Sequence, residues 1–387
     1  MQVGIDQIGF YTPNKYVDMV DLATARGEDP NKYLIGIGQK RMSVADSSQD
    51  AVSMGINATL SYIDQVDCDQ VGLLLMGTES GVDQSKSASL FVKSALKLRP
   101  EVRTFEIKEA CFGMTAGIMT ACDYIRAHPD RSAIVIGSDI AKYGVGSAGE
   151  VTQGAGSVSV LLKANPRILS INSGYSAYSA DVNDFWRPNN SPIALVDGKY
   201  SKEVYLDFFT RTFAAYQRQM NYQVSDFAAL VYHLPFVKMG YKANQLAIAN
   251  QNEIVQKRLE QNFGLSSYYS RNVGNIYTAS LYLSLLSLLE QGKLNSDSLI
   301  GFFSYGSGAM GEFYSGKIVS GYEKMLTPNT NKQMLARRKK ISITEYEQIF
   351  NQSLVLPQDN HFLDSDEENG YWYFAGTNQH IRQYKQK

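Results

Sequence analysis

Residues 106–139 read EIKEACFGMTAGIMTACDYIRAHPDRSAIVIGSD, and their reading decides the fold. A charged, strand-like run ends at Cys111. Small and apolar residues then recur at helical spacing over roughly 112–127, and SAIVIGSD at 132–139 returns to a β-rich run. The unit is strand, helix, strand, with a thiol at the joint. The same alternation runs along the chain. Further β-rich runs stand at 71–78, 157–163, 227–234 and 299–306, and helical patterns at roughly 49–64, 85–97, 206–220, 242–262 and 277–291. Such alternation predicts an α/β fold with largely parallel or mixed sheets buried on both faces.

A weak internal repeat overlies this pattern. In the first half a strand ends at Glu79, a helix opens after Cys111, and AIVIGSD follows. In the second half a strand ends at His233, a helix opens after Asn275, and IGFFSYGSG follows. The spacings are similar rather than equal, 32 residues in the first case and 42 in the second. Two halves related by a pseudo-twofold would bring all four ends together. The reading places an N-terminal half at 1–165 and a C-terminal half at 166–387, with a polar extension from about 327. GYWYFAGTNQHIRQY in the tail reads as a strand with a turn, and the basic run Arg337–Lys340 as a solvated face.

Bulk properties narrow the function classes. With 44% hydrophobic and 19% charged residues the chain can bury a large core. A formal net charge of −1 supplies no general attraction to nucleic acid or to an anionic membrane. MQVGIDQIGFYTP does not resemble a signal peptide, and ASLYLSLLSLLEQ falls short of the ~20 residues of a membrane span. A soluble, cytoplasmic protein with small-molecule partners is expected. Cys68, Cys111 and Cys122 form no C-x-x-C pair, and the four histidines are scattered, so neither a disulfide framework nor a metal site is expected.

Each candidate residue has a bland and a sharp reading. Cys111 at a helix N-terminus is either a small buried hydrophobe or a nucleophile whose thiolate the helix dipole favours. Cys122, ~16 Å further along the helix axis, lacks that advantage and reads as core. His233 closes the strand AALVYHL at a lip where α/β sheets commonly place sites, or it is a satisfied core histidine. Asn275 is either a helix cap or a binding group. Glu79 is either a cap or a partly buried carboxylate of raised pKa acting as base. The glycine-rich YGSGAMG around Ser307 offers backbone N–H groups to an oxyanion, weakly if taken alone. Together they suffice for acyl transfer through a thioester.

EACFGMTAG, YHLPF, GNIYTASLY and SYGSGAMGEF, occurring in order, resemble the thiolase superfamily and within it the bacterial hydroxymethylglutaryl-CoA (HMG-CoA) synthase family. GTESGVDQSKS and VTQGAGSVSVLL extend the similarity over essentially the whole chain, with a poorer match around 355–370. The resemblance implies a five-layered αβαβα fold and a homodimer. It implies condensation of acetyl-CoA with acetoacetyl-CoA to HMG-CoA in the mevalonate route, with no cofactor beyond the CoA thioesters. By the same resemblance Cys111 carries the acetyl group, Glu79 is the base, and His233 positions acetoacetyl-CoA. Asn275 and Ser307 match acyl-binding groups, and Thr152, Ser201 and Lys242 match substrate-contacting stretches. Lys238 lies four residues before Lys242, one helical turn away, and the pair would suit CoA phosphates.

Three rival readings stand beside this one. A β-ketoacyl-ACP synthase III-like enzyme shares a Cys–His–Asn set but would not need Glu79, because decarboxylation generates its carbanion. A papain-like hydrolase would not need repeated α/β halves, and a non-catalytic acyl-CoA scaffold would take no label from acetyl-CoA.

Overall fold

Across the sheet of the first half the strands run Arg103–Ile107, Val71–Gly77, Ser132–Ile140, Ala155–Ala164, Val3–Tyr11. Numbered along the chain, that order is 3-2-4-5-1. In the second half it is Phe227–Tyr232, Leu299–Gly306, Met310–Ile318, Leu169–Ser179, or 2-4-5-1 with no counterpart of strand 3 among the described residues. The pairing senses match as well. Strands 2 and 4 are parallel in each half, whereas 4–5 and 5–1 are antiparallel. The weak sequence repeat is thus a repeat of topology. These relations come from a computed structural model that describes residues 1–355, 359–363 and 370–387.

The two sheets meet where Gly4 and Ile5 pair with Ser170 and Leu169. Between them lie the helices Gly113–Ala127 and Ser280–Gln291. SLYLSLLSLLEQ is apolar almost all round, and a helix of that kind must be covered on every side. Leu281 to Leu289 are accordingly buried in one core with Ile118, Leu73 and Leu75 of the first half and Ile300 and Phe302 of the second. Each such leucine contributes ~1.5–3 kcal/mol of apolar burial. Helices Ala51–Leu60 and Ala88–Ala95 cover the outer face of the first sheet. An aromatic-rich layer built on Gly198–Met220 and Val237–Ile248 covers the other. The result is the expected αβαβα sandwich.

Three readings need correction or limits. The single helix predicted at 242–262 is two, Val237–Ile248 and Glu253–Ser266, because the Asn252 side chain caps a new helix by accepting from the Val255 N–H at 3.0 Å. The basic run is not wholly solvated: Arg338 is 6% exposed and donates to Ser43 Oγ and to the carbonyls of Asn272 and Leu335. Its buried guanidinium lies near Arg41, and burial lowers its pKa to about 9. Of the poorly matching stretch 355–370, residues 356–358 and 364–369 lie outside the described residues.

The tail forms the expected hairpin, Trp372–Asn378 against Ile381–Gln386. It docks on helix Ala51–Leu60 through two 2.9 Å bonds between Asn57 and the Trp372 backbone and through a 2.7 Å Arg382–Asp50 ion pair.

Candidate active site

Glycine permits the tight approach that builds the site. A Cβ on Gly77, at the end of its strand, would stand 2.4 Å from the Met114 nitrogen. One on Gly306, which ends a strand of the second half, would stand 2.6 Å from the Glu109 carbonyl oxygen and 2.8 Å from the Phe112 nitrogen. Strand ends from both halves therefore press on the turn that carries Cys111. Within that turn Ala110 has φ +38°, a left-handed conformation that costs a non-glycine residue about 1–3 kcal/mol and marks a turn held by its surroundings.

Cys111 is 9% exposed, and its Sγ donates to Glu79 Oε1 at 3.0 Å. The expected thiolate is not found. Burial, and after it the adjacent Glu79, push the thiol well above its usual range. A helix dipole contributes only about 0.3–1 kcal/mol at an exposed end and does not offset an enclosed site lined by carboxylates. The sulfur is a thiol that already faces its proton acceptor.

Glu79 follows the strand by two residues. Its carboxyl tip is enclosed, and burial, reinforced by Asp139, raises its pKa to about 8. Asp139, the last residue but one of the neighbouring strand, is fully buried. It accepts from Thr78 Oγ1 (3.0 Å), the Glu79 N–H (2.7 Å), Ser80 Oγ (2.9 Å), and Thr278 N–H and Oγ1 (3.1 and 2.5 Å). Burial raises the pKa of Asp139 too, against the pull of these donors. It ties Glu79 of one half to Thr278 of the other. Asp139→Asn removes a negative charge beside Glu79, so the Glu79 pKa should fall. The acid limb of a rate profile that depends on Glu79 should then move to lower pH, measurable in a pH–rate comparison with the wild type.

The second half supplies the remaining groups. His233 follows strand Phe227–Tyr232, donates its N–H to the Phe303 carbonyl at 2.8 Å, and accepts from Tyr205 OH at 2.7 Å through its own carbonyl. It therefore sits beside the strand whose end, Gly306, packs on the Cys111 turn. It is 2% exposed, its Nδ1 has no hydrogen-bond partner among the described residues, and burial lowers its pKa to about 3. The ring is neutral, with one N–H to offer a carbonyl.

Asn275 takes the capping role that was one of its two readings. Its Oδ1 caps the next turn by accepting from the Tyr277 N–H and Ser280 Oγ, both at 2.9 Å. Its Nδ2 donates to Tyr143 OH at 3.3 Å, toward the site. Thr152 holds it there, accepting the Asn275 N–H at 3.0 Å, while the Thr152 hydroxyl is taken by the Gly149 carbonyl. Ser307 lies in the turn after Leu299–Gly306. The next N–H, of Gly308, goes to Asp184 at 3.0 Å. Buried Asp184 also accepts from Tyr305 OH (2.7 Å) and from Ser201 Oγ (3.2 Å), so Ser201 acts on the loop through Asp184.

Lys238 and Lys242 lie on helix Val237–Ile248. The Lys242 pKa is lowered, first by burial and then by Lys202 and Lys238. Three lysines rather than two therefore share that patch. Cys122 is 1% exposed core, its pKa raised to about 12 by burial.

Sequence reasoning missed Asp139, Asp184, Lys202 and the aromatic enclosure of Cys111. Tyr143, Phe185 and Tyr277 form a triangle with ring centroids 5.8–6.1 Å apart, packed with Cys111 and Ala141. Asp139 had a legible signal, a carboxylate ending an apolar strand as Glu79 does. The aromatics had none, because they come from three segments far apart in the sequence.

A doubled αβαβα sandwich, with Cys, Glu, His and Asn gathered where its halves meet, defines a thiolase-like protein of the acyltransferase class. The family model described as hydroxymethylglutaryl-coenzyme A synthase N terminal matches residues 1–166, and its C-terminal companion matches residues 243–387. The hydroxymethylglutaryl-CoA synthase of Enterococcus faecalis is 42% identical over 365 residues, spanning 94% of this chain and 95% of that one. The polyketide biosynthesis 3-hydroxy-3-methylglutaryl-ACP synthase PksG of Bacillus subtilis (strain 168) is 34% identical over 376 residues, spanning 90% and 88%. A solved HMG-CoA synthase complexed with CoA superposes with a TM-score of 0.95 at 38% identity, covering 100% of both chains. The chain belongs to the hydroxymethylglutaryl-CoA synthase family. The β-ketoacyl-ACP synthase alternative is not favoured.

Proposed function

We propose that this enzyme condenses acetyl-CoA with acetoacetyl-CoA and water to give HMG-CoA and CoA, a step of the mevalonate route to isoprenoids. The observation that carries the reading is the 3.0 Å contact of the Cys111 thiol with a carboxylate of raised pKa. Cys111 attacks the acetyl carbonyl as Glu79 takes the thiol proton, and CoA leaves as its thiol. The same carboxylate, discharged of that proton, then removes one from the acetyl methyl. A Glu79 pKa near 8 makes it a stronger base than an exposed carboxylate while leaving it ionised in part at neutrality. Neutral His233 donates to the C3 carbonyl of acetoacetyl-CoA, and the carbanion adds there. Asn275 and the Ser307 turn hold the thioester oxygen. Holding the acetyl unit on Cys111 makes carbon–carbon bond formation effectively intramolecular, worth up to ~7–11 kcal/mol.

Lys202, Lys238 and Lys242 supply the positive patch for CoA phosphates, and no further cofactor is required. Thr152 and Ser201 act through Asn275 and Asp184 rather than on the substrate directly. The halves divide near 165/166, after strand Ala155–Ala164. Strand Arg103–Ile107 closes its sheet with Val71–Gly77 as its one strand partner among the described residues, and it exposes Phe105. That edge suits pairing with a second copy in a homodimer. Among the described residues no helix is long and apolar enough to cross a membrane, and the proposed place of the enzyme is the cytoplasm.

Incubation with acetyl-CoA and acetoacetyl-CoA should release CoA thiol and accumulate HMG-CoA, followed by thiol titration and chromatography. Turnover of malonyl-ACP in place of that pair would overturn the assignment.

A further inference from the structure

The proposed reaction ends by creating a negative charge that none of the residues above neutralises. Hydrolysis of the Cys111 thioester breaks the S–C bond and adds water's oxygen to the acyl carbon. One proton returns to sulfur and the other leaves through Glu79. A carboxylate is thereby born next to Glu79. The charged groups acting most strongly on Glu79 are Asp139, Arg187 and Glu109, two anions and one cation.

Arg187 reaches the site by simple backbone geometry. Phe185 and Trp186 form a short strand paired with Leu195–Val196. The Phe185 ring packs on Tyr143 and Tyr277 in the enclosure of Cys111, whereas Trp186 is 39% exposed. Pro188 follows Arg187, and a residue before proline is held extended. The alternation of the strand thus continues one residue further, and Arg187 shares the inward side with Phe185. Its guanidinium is half-buried and makes no hydrogen bond or ion pair with any described residue. It nevertheless acts electrostatically on Glu79, Tyr277 and Lys142. A half-buried guanidinium without a carboxylate partner, facing a site that generates a carboxylate, is incomplete until product forms.

We propose that Arg187 binds the carboxylate released from Cys111, making it a product-binding and specificity residue that distinguishes HMG-CoA from thioesters lacking that group. The proposal rests on the synthase reading. Guanidinium–carboxylate pairing is the strong, geometrically matched form of this contact.

The test uses the full chain and two probes: HMG-CoA, and 3-hydroxy-3-methylbutyryl-CoA, which has the same branched acyl chain without the carboxylate. Calorimetry should show that Arg187→Gln weakens HMG-CoA binding by about 10- to 100-fold and leaves the decarboxylated probe within about twofold. Arg187→Lys should recover much of the loss. Equal weakening of both probes, or of neither, overturns the proposal. So does a wild-type enzyme that binds the two probes equally, a result that needs no variant to fold. Wild-type protein that takes no label from radiolabelled acetyl-CoA would sink the synthase reading itself, and this proposal with it.

Discussion

Cys111→Ala should accept no label from radiolabelled acetyl-CoA and should lose condensation by on the order of 10⁴- to 10⁶-fold. The size follows from what the sulfur supplies. Without a covalent anchor the acetyl unit must be positioned by binding alone, and the carbanion must form on a free thioester. Cys122 cannot substitute, since it is buried mid-helix with its thiol held protonated. The other thiol, Cys68, lies between the Ile63–Gln65 turn and strand Val71–Gly77, where burial and three neighbouring aspartates raise its pKa. Peptide mapping of the labelled wild type should therefore place the acetyl group on the Cys111 peptide alone. Label elsewhere, together with retained condensation in Cys111→Ala, would remove the nucleophile assignment.

The second large effect belongs to Glu79. Glu79→Gln should still become acetylated, more slowly because the thiol has lost its proton acceptor, but should condense about 10²- to 10⁴-fold more slowly. In the wild type the working base is the ionised carboxylate. Condensation should therefore rise with pH through the acidic and neutral range and level off near pH 8, and Glu79→Gln should lack that limb. The same group carries a stability signature of opposite sense. Its folded pKa lies above the ordinary carboxylate value, so the folded state holds the proton more tightly than the unfolded chain. Stability is then lost as pH rises from about 4.5 toward 8, and Glu79→Gln should be more stable than wild type, by a wider margin at pH 8 than at pH 5. Thermal melts at the two pH values read this directly. A variant that condensed at the wild-type rate would remove the base assignment.

Much of the candidate set was legible because each member stands at the end of an element whose pattern is strong. VGLLLMGTE, AALVYH and GFFSYGS are apolar strands that stop at a polar residue, and strands buried on both faces carry that signature without tertiary help. The helix pattern failed where a break depended on one capping side chain, as at Asn252. The charge pattern failed at Arg338, whose guanidinium is satisfied by the nearby Leu335 carbonyl and by Ser43 and Asn272, both far away in sequence. Asp139 stood in view as a strand-ending carboxylate, but only pairing of its strand beside the one before Glu79 revealed what it holds.

Local pattern was enough for the alternation of strands and helices, the buried central helix, and the candidacy of Cys111, Glu79, His233 and Asn275. Such patterning is written residue by residue as burial demands it. The protonation states belonged to the assembled molecule. Helix-terminus reasoning promised a thiolate at Cys111, and enclosure with Glu79 made it a thiol. Charge stability depends on the solvent excluded and the charges brought near, and both arise from residues tens to hundreds of positions away. The aromatic enclosure and the inward-facing Arg187 arise in the same way, from segments that share no local pattern and meet only when the two halves close.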